Sequence, residues 1–220
     1  MLKNAGLAQT EASMRANITG LIVAGGHSSR FGGEKALAKL GGHSLLEQAA
    51  EALNPWVSDI AVSARAGSAT EAAARKMGLY AISDRPGLAK GPLAGILAGL
   101  EWSERLGAQW MASLPCDVVA IPQDAFSRLL AAADKAQGAY GGAYGGAYAA
   151  TPDGPQSLCA IWPVEGRSML EADLTSGTHP AVHHILDLMS AKPVPFEGAN
   201  IFLNINTKTD LLAAEKALSR

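Results

Sequence analysis

Cysteine is nearly absent from this chain of 220 residues: Cys116 and Cys159 are the only two. Their separation fits no metal-ligand spacing, and a chain of this length can bury a core without disulfide staples. A disulfide scaffold and a zinc module are therefore excluded, and a reducing cytoplasm is the simplest compartment. A basic excess is missing too. Against 18 Lys and Arg stand 20 Asp and Glu, a formal net charge of -2, whereas general nucleic-acid binders carry a basic domain or stripe. Any phosphate binding must be local. No apolar run reaches the length of a membrane span, and the N-terminus lacks the hydrophobic stretch of a signal peptide. Residues 1–17, MLKNAGLAQTEASMRAN, are polar and aperiodic. They are expected to form a disordered extension before one domain over 18–220, soluble and cytoplasmic.

Two familiar phosphate loops are also absent. A P-loop needs Gly, four residues and then Gly-Lys-Ser/Thr, but five positions after Gly26 comes Phe31, and Lys35 is followed by Ala36. The dinucleotide fingerprint G-x-G-x-x-G fails at Gly25-Gly26.

What the chain does have is ITGLIVAGGHSSRFGGEKALAKLGG, residues 18–42. Residues 18–24 are rich in Ile, Leu and Val without clean alternation, as in a strand buried on both faces of a parallel sheet. The run empties into a loop carrying Gly25, Gly26, Gly32 and Gly33. Glycine lets a backbone approach a ligand closely, Ser28 and Ser29 add hydroxyl donors, and Arg30 and Lys35 add positive charge. Such a loop suits a nucleoside triphosphate.

The rest follows a βαβ rhythm. Helical spacing over 43–53, ended by Asn54-Pro55, predicts the first crossover helix. A strand over 57–64, a helix over 68–77 and a strand over 79–82 follow, leading to Asp84. Gly91-Pro92 opens a helix to about residue 104, with Pro92 where its missing N–H costs little. A strand over 109–114 ends in Pro115-Cys116-Asp117, which puts a carboxylate where open α/β sheets bind ligands. A helix over 122–135 precedes a Gly-Ala-Tyr repeat at 138–148, read as a glycine-loosened strand-loop-strand. Beyond it are expected a strand over 157–163, helices near 165–174 and 180–190, and short extended pieces at 194–196 and 201–203. A last helix over 208–218 has Thr207 as its N-cap.

Four segments in this order, AGGHSSRFGGEK, SDRPGLAKGPLAG, LPCD and NINTKTDL, resemble those of the molybdenum cofactor guanylyltransferases. That family belongs to the nucleotidyltransferases that activate sugars, alcohols and cofactors with an NTP. The resemblance implies a three-layer, Rossmann-like α/β nucleotidyltransferase fold with a mostly parallel central sheet. It implies transfer of GMP from GTP to molybdopterin, giving the guanine dinucleotide and pyrophosphate. Partners would be these two substrates, together with other cofactor-biosynthesis proteins or recipient molybdoenzymes, and neither nucleic acid nor membrane. It places Val23, Ala24, Gly25 and Gly26 on the nucleotide, Lys35 on its phosphates, and Ser63 and Asp84 at its base or ribose end. Asp117 would hold Mg²⁺, and Asn204 and Asn206 would lie by the second substrate. Three departures stand out: Glu34 where the family usually has Asp, Phe31 where it usually has Met, and no permanent cation in Ser176-Gly177-Thr178-His179-Pro180.

The chemistry asks for these residue types independently. An incoming phosphate must attack the α-phosphorus while pyrophosphate leaves, so two polyanions are brought together against their repulsion. Cations do that work, and Arg30, Lys35 and a carboxylate-held Mg²⁺ supply them without a side-chain nucleophile. Two other readings use the same loop: a cytidylyl or related nucleotidyl transferase, and a non-catalytic nucleotide or cofactor module. A module of that kind has no need of Arg30, Lys35 and Asp117 as a set.

Overall fold

The computed structural model describes residues 17–25, 31, 33–85, 87, 91–139, 144–177 and 180–218. Its centre is strand β1 (Ile18–Val23), whose residues are buried save the partly buried Val23 at its end. Parallel neighbours flank it: β4 (Ile60–Ser63) on one side and β6 (Trp110–Pro115) on the other. The sheet has seven strands in the order β10-β8-β9-β6-β1-β4-β5, with β5 (Tyr80–Ile82), β8 (Ala147–Thr151), β9 (Gly154–Pro163) and β10 (Lys192–Pro195). Only β9 runs against its neighbours.

Because alternate residues of β1 face opposite ways, the strand feeds two cores. Ile18 and Ile22 pack with α1 (Leu45–Leu53), α2 (Ala69–Lys76) and α4 (Ala125–Ala139) through Leu46, Leu53, Ala74, Phe126 and Leu129. Leu21 packs on the other face with α3 (Pro92–Arg105), α5 (Arg167–Thr175) and α6 (Val182–Leu188) through Ile96, Leu100, Leu170 and Ile185. Helices on both faces of a mostly parallel sheet give the expected three layers. Burying one such leucine contributes about 2 kcal/mol.

Helix α3 packs tightly on the sheet where two glycines four residues apart face it. A methyl group on Gly99 would come within 2.6 Å of Leu21, and one on Gly95 within 2.6 Å of Ser63 Oγ. A third, smaller cluster gathers Phe31, Leu40, Leu45, Val119, Ile205 and Ala214. It joins the flank of the glycine loop to β7 (Val118–Val119), β11 (Leu203–Asn204) and the last helix, α7 (Lys208–Leu218).

Several expectations are corrected. The first crossover helix starts at Leu45, because His43–Ser44 (β3) pairs with Lys39–Leu40 (β2) in a hairpin. Its turn, Gly41-Gly42, has φ of 61° and 90°, a conformation glycine adopts without penalty. Ser44 then caps α1 in a capping box with Glu47. The strand expected over 57–64 is shorter, since the chain is still turning at Ser58, whose N–H bonds to the carbonyl of Ile18. The Gly-Ala-Tyr repeat is not a strand-loop-strand. Helix α4 runs through to Ala139 and β8 begins at Ala147, while residues 140–143 lie outside the described ones. Tyr144 and Tyr148 pack against the second core. The extension expected at 1–17 lies outside the described residues except for Asn17, whose carbonyl accepts from the N–H of Trp110 at 3.1 Å.

Candidate functional site

Parallel strands put their carboxyl ends on one edge, and β1, β4 and β6 end together: Val23 pairs with Ser63 and with Pro115. Just beyond, Ala24 N–H bonds to the carbonyl of Ser63 at 3.0 Å, and Cys116 N–H to the carbonyl of Val23 at 3.1 Å. The predicted nucleotide backbone of Val23, Ala24 and Gly25 thus sits between two groups of polar side chains.

One group is built on Lys35. After Glu34 the chain makes a single 3-10 turn, Lys35–Leu37, and Lys35 Nζ donates to Asp117 Oδ2 at 2.5 Å and to Asn206 Oδ1 at 3.2 Å. The side chains of Lys35 and Asp117 are 16% and 23% exposed, so the pair is partly shielded from water and stronger than a surface ion pair. Asn206 reaches it because β11 pairs antiparallel with β7, and Ile205 N–H then bonds to the carbonyl of Asp117 at 2.8 Å. Asp210 fixes the turn that follows. Its Oδ2 accepts the N–H groups of Asn206 and Thr207, each at 2.8 Å, while Thr207 Oγ1 accepts Asp210 N–H as the expected N-cap. These bonds, that from Asn206 first, hold the Asp210 carboxyl below the usual carboxylate range.

The other group is Ser63 and Asp84, with Ser63 Oγ 3.5 Å from Asp84 Oδ1 under the glycine of α3. Burial raises the Asp84 carboxyl above its ordinary value, opposed in part by the serine hydroxyl. Asp84 is not paired with Arg85, which instead bridges Glu101 of α3 and Glu171 of α5.

Of the residues predicted from sequence, Lys35, Asp117 and Asn206 are in contact, and Ser63 and Asp84 form the second group. Asn204 is exposed and pairs through its backbone with Val118. Gly26, Ser28, Ser29 and Arg30 lie outside the described residues. Cys116, next to Asp117, is buried with its thiol pushed up to about 12, and burial raises Cys159 as well, so neither serves as a nucleophile. Sequence reasoning missed Asp210 and the close approach of Gly95. The first had a signal, since Thr207-x-x-Asp210 has the spacing of a capping box.

Among the described residues no group of three or more His, Cys, Asp or Glu could hold a metal ion. Magnesium needs less than that, often one or two carboxylates completed by water and substrate phosphates. The donor set fits: Asp117 Oδ2 and Asn206 Oδ1, both hard oxygens, already converge on one cation, the Lys35 ammonium.

Residues 20–190 match the family model of the MobA-like NTP transferase domain. The molybdenum cofactor guanylyltransferase of Cereibacter sphaeroides is 36% identical over 202 residues, covering 91% of this chain and 97% of that protein. The enzyme of the same name from Yersinia pestis (strain Pestoides F) is 33% identical over 205 residues, covering 90% and 94%. Among solved structures, molybdopterin-guanine dinucleotide biosynthesis protein A from Archaeoglobus fulgidus is similar at a TM-score of 0.69 and 22% identity, covering 91% and 98%. The 4-diphosphocytidyl-2C-methyl-D-erythritol synthase of Anaerococcus prevotii is similar at 0.68 and 14%, covering 95% and 99%. These two likenesses are of fold.

Proposed function

The chain belongs to the MobA-like NTP transferase family, and from that premise we propose that it transfers GMP from GTP to the terminal phosphate of molybdopterin, releasing pyrophosphate. The observation that carries this reading is the cluster of Lys35, Asp117 and Asn206 at the carboxyl edge of the parallel strands. Its parts come from three segments that face different portions of the reaction.

The Lys35 ammonium is held by Asp117 and Asn206. A triphosphate laid along Val23, Ala24 and Gly25 offers it a stronger anionic partner, and Lys35 turns to the phosphates as a mobile point charge. That movement releases Asp117 Oδ2 and Asn206 Oδ1, the oxygens that would hold Mg²⁺. When bound, Mg²⁺ would neutralise charge on the phosphates. The molybdopterin phosphate oxygen forms its bond to the α-phosphorus, the bond from that phosphorus to the bridging oxygen breaks, and Lys35 stabilises the charge gathering on the departing pyrophosphate. Asn206 faces the incoming phosphate, Arg30 adds a second cation, and Ser63 with Asp84 receives the base or ribose end of the nucleotide.

A thermal-shift panel of GTP, CTP, ATP and UTP with and without Mg²⁺ tests the reading, since ligand at a hundred times its dissociation constant stabilises by about 2.7 kcal/mol. GTP with Mg²⁺ should give the largest shift. A larger shift with CTP would move the assignment to a cytidylyl transferase, and pyrophosphate release from GTP and molybdopterin separates an enzyme from a binding module.

A further inference from the structure

Glu34, the residue before Lys35, turns its carboxylate away from the lysine and onto a distant helix. Oε1 accepts Ala69 N–H at 2.9 Å, and Oε2 accepts both the N–H and the hydroxyl of Thr70. Arg65 adds a positive charge 3.9 Å from Oε1. These are the first two N–H groups of α2 (Ala69–Lys76), which a helix cannot satisfy within itself. The helix has a cap of its own as well: Ser68 Oγ accepts Glu71 N–H at 3.1 Å, and Glu71 Oε2 accepts Gly67 N–H at 2.6 Å. Glu34 therefore serves donors that the local cap leaves over, from 35 residues away.

The same residue starts the turn that carries Lys35. Its carbonyl accepts Leu37 N–H at 3.0 Å. On the other side of the glycines, Phe31 is buried in the third cluster against β7, β11 and α7. Lys35 is thus presented from a short stretch pinned at both ends, by an apolar ring toward the Asn206 side and by a carboxylate toward α2.

We propose that Glu34 is a positioning residue for nucleotide binding: its ionised carboxylate, clamped on the N-terminus of α2, sets where the Lys35 ammonium stands. Both Glu34 oxygens act as acceptors, three bonds in all and none donated, the pattern of an acceptor-only carboxylate. The hydrogen bond from the Thr70 hydroxyl, with those from the Ala69 and Thr70 backbone, holds the acid below its ordinary value. The inference rests on the GTP reading above, so its test has one arm that uses GTP and one that does not.

The test compares E34Q with S68A, two changes at the same helix end. Both should lower the melting temperature. By calorimetry E34Q should bind GTP about tenfold more weakly, the scale of losing a residue that orients a ligand-contacting group, while S68A should bind as wild type. Equal loss in both variants, or none in E34Q, overturns the proposal. The second arm is a double-mutant cycle between K35M and D117N, read by denaturant unfolding in the wild-type, E34Q and S68A backgrounds. Coupling should vanish in E34Q and survive in S68A; coupling kept in E34Q overturns the proposal even if no nucleotide binds. A wild type that ignores GTP refutes the functional reading alone. If E34Q does not fold, E34D replaces it in both arms, with weaker GTP binding and reduced coupling expected and wild-type values overturning the proposal.

Discussion

Lys35 Nζ stands 2.5 Å from Asp117 Oδ2 although 82 residues separate them in the chain. Each therefore neutralises the other, and altering either one changes both stability and charge.

Asp117→Asn keeps size and one acceptor oxygen but removes the charge. Melting should fall modestly, by about 1–2 kcal/mol for a pair partly shielded from water. Turnover of GTP and molybdopterin should fall at least about a hundredfold, because charge at the α-phosphorus is then left without its carboxylate-held cation. Single-turnover pyrophosphate release beside a melting curve reads both. Normal turnover would place the metal elsewhere.

Lys35→Ala removes a cation and leaves Asp117 without its ammonium partner. GTP affinity should drop about tenfold or more, and raising the salt concentration should reproduce part of that loss in the wild type. Calorimetry at two ionic strengths checks this, and unchanged affinity in the variant would dismiss the loop as the triphosphate site.

Gly95 and Gly99 make a matched pair of probes on α3. A methyl on Gly95 meets Ser63 Oγ at 2.6 Å and comes within 3.7 Å of Asp84 Oδ1, whereas one on Gly99 meets Leu21 and Met111 at 2.6 and 2.8 Å. Gly95→Ala should weaken nucleotide binding with little change in melting, since the alanine offsets strain with about 1 kcal/mol of helix propensity. Gly99→Ala gains the same propensity but crowds two core side chains, an overpacking of about 1–3 kcal/mol, so it should melt lower and leave affinity nearly intact. Equal effects in binding and melting would erase the distinction between site and core.

The pH dependence at Asp84 has a definite sign. Burial raises its folded-state pKa above the unfolded value, so the native state holds its proton longer, and stability falls as pH rises from the unfolded pKa through the folded one. Asp84→Asn should match the wild type at low pH and become the more stable protein as pH rises through the carboxylate range, the difference levelling off above it. Melting curves at a series of pH values would show a constant difference if burial were not the cause.

The architecture was legible because its signals are local. The apolar run of β1, the Gly91-Pro92 helix start and the carboxylate after β6 each declare themselves within a few residues. Lys35, Asp117 and Asn206 were legible as types, but their contact was not, since it depends on β11 folding back on β7 across the intervening chain. Glu34 was invisible as an anchor for the same reason: nothing near it in sequence names Thr70 as a partner. The hairpin at Gly41-Gly42 was readable and was overridden by the helical pattern after it. The Gly-Ala-Tyr repeat misled because a strand pattern and a helix end share those residues.

Strand β10 closes the sheet with Lys-Pro-Val-Pro, and its pairing with β8 is parallel. Lys192 and Phe196 turn their N–H groups inward, to the carbonyls of Gly146 and Ala150. Pro193 and Pro195 fall at the alternate positions, where an ordinary residue would aim its N–H outward. The exposed border of the sheet is thereby stripped of donors at these positions, and a strand from another molecule finds only half of a ladder to continue. At the opposite border β5 offers only three residues. A fold that stacks strands with both faces covered leaves its borders open to strand addition, and here one border lacks donors and the other is too brief to template growth.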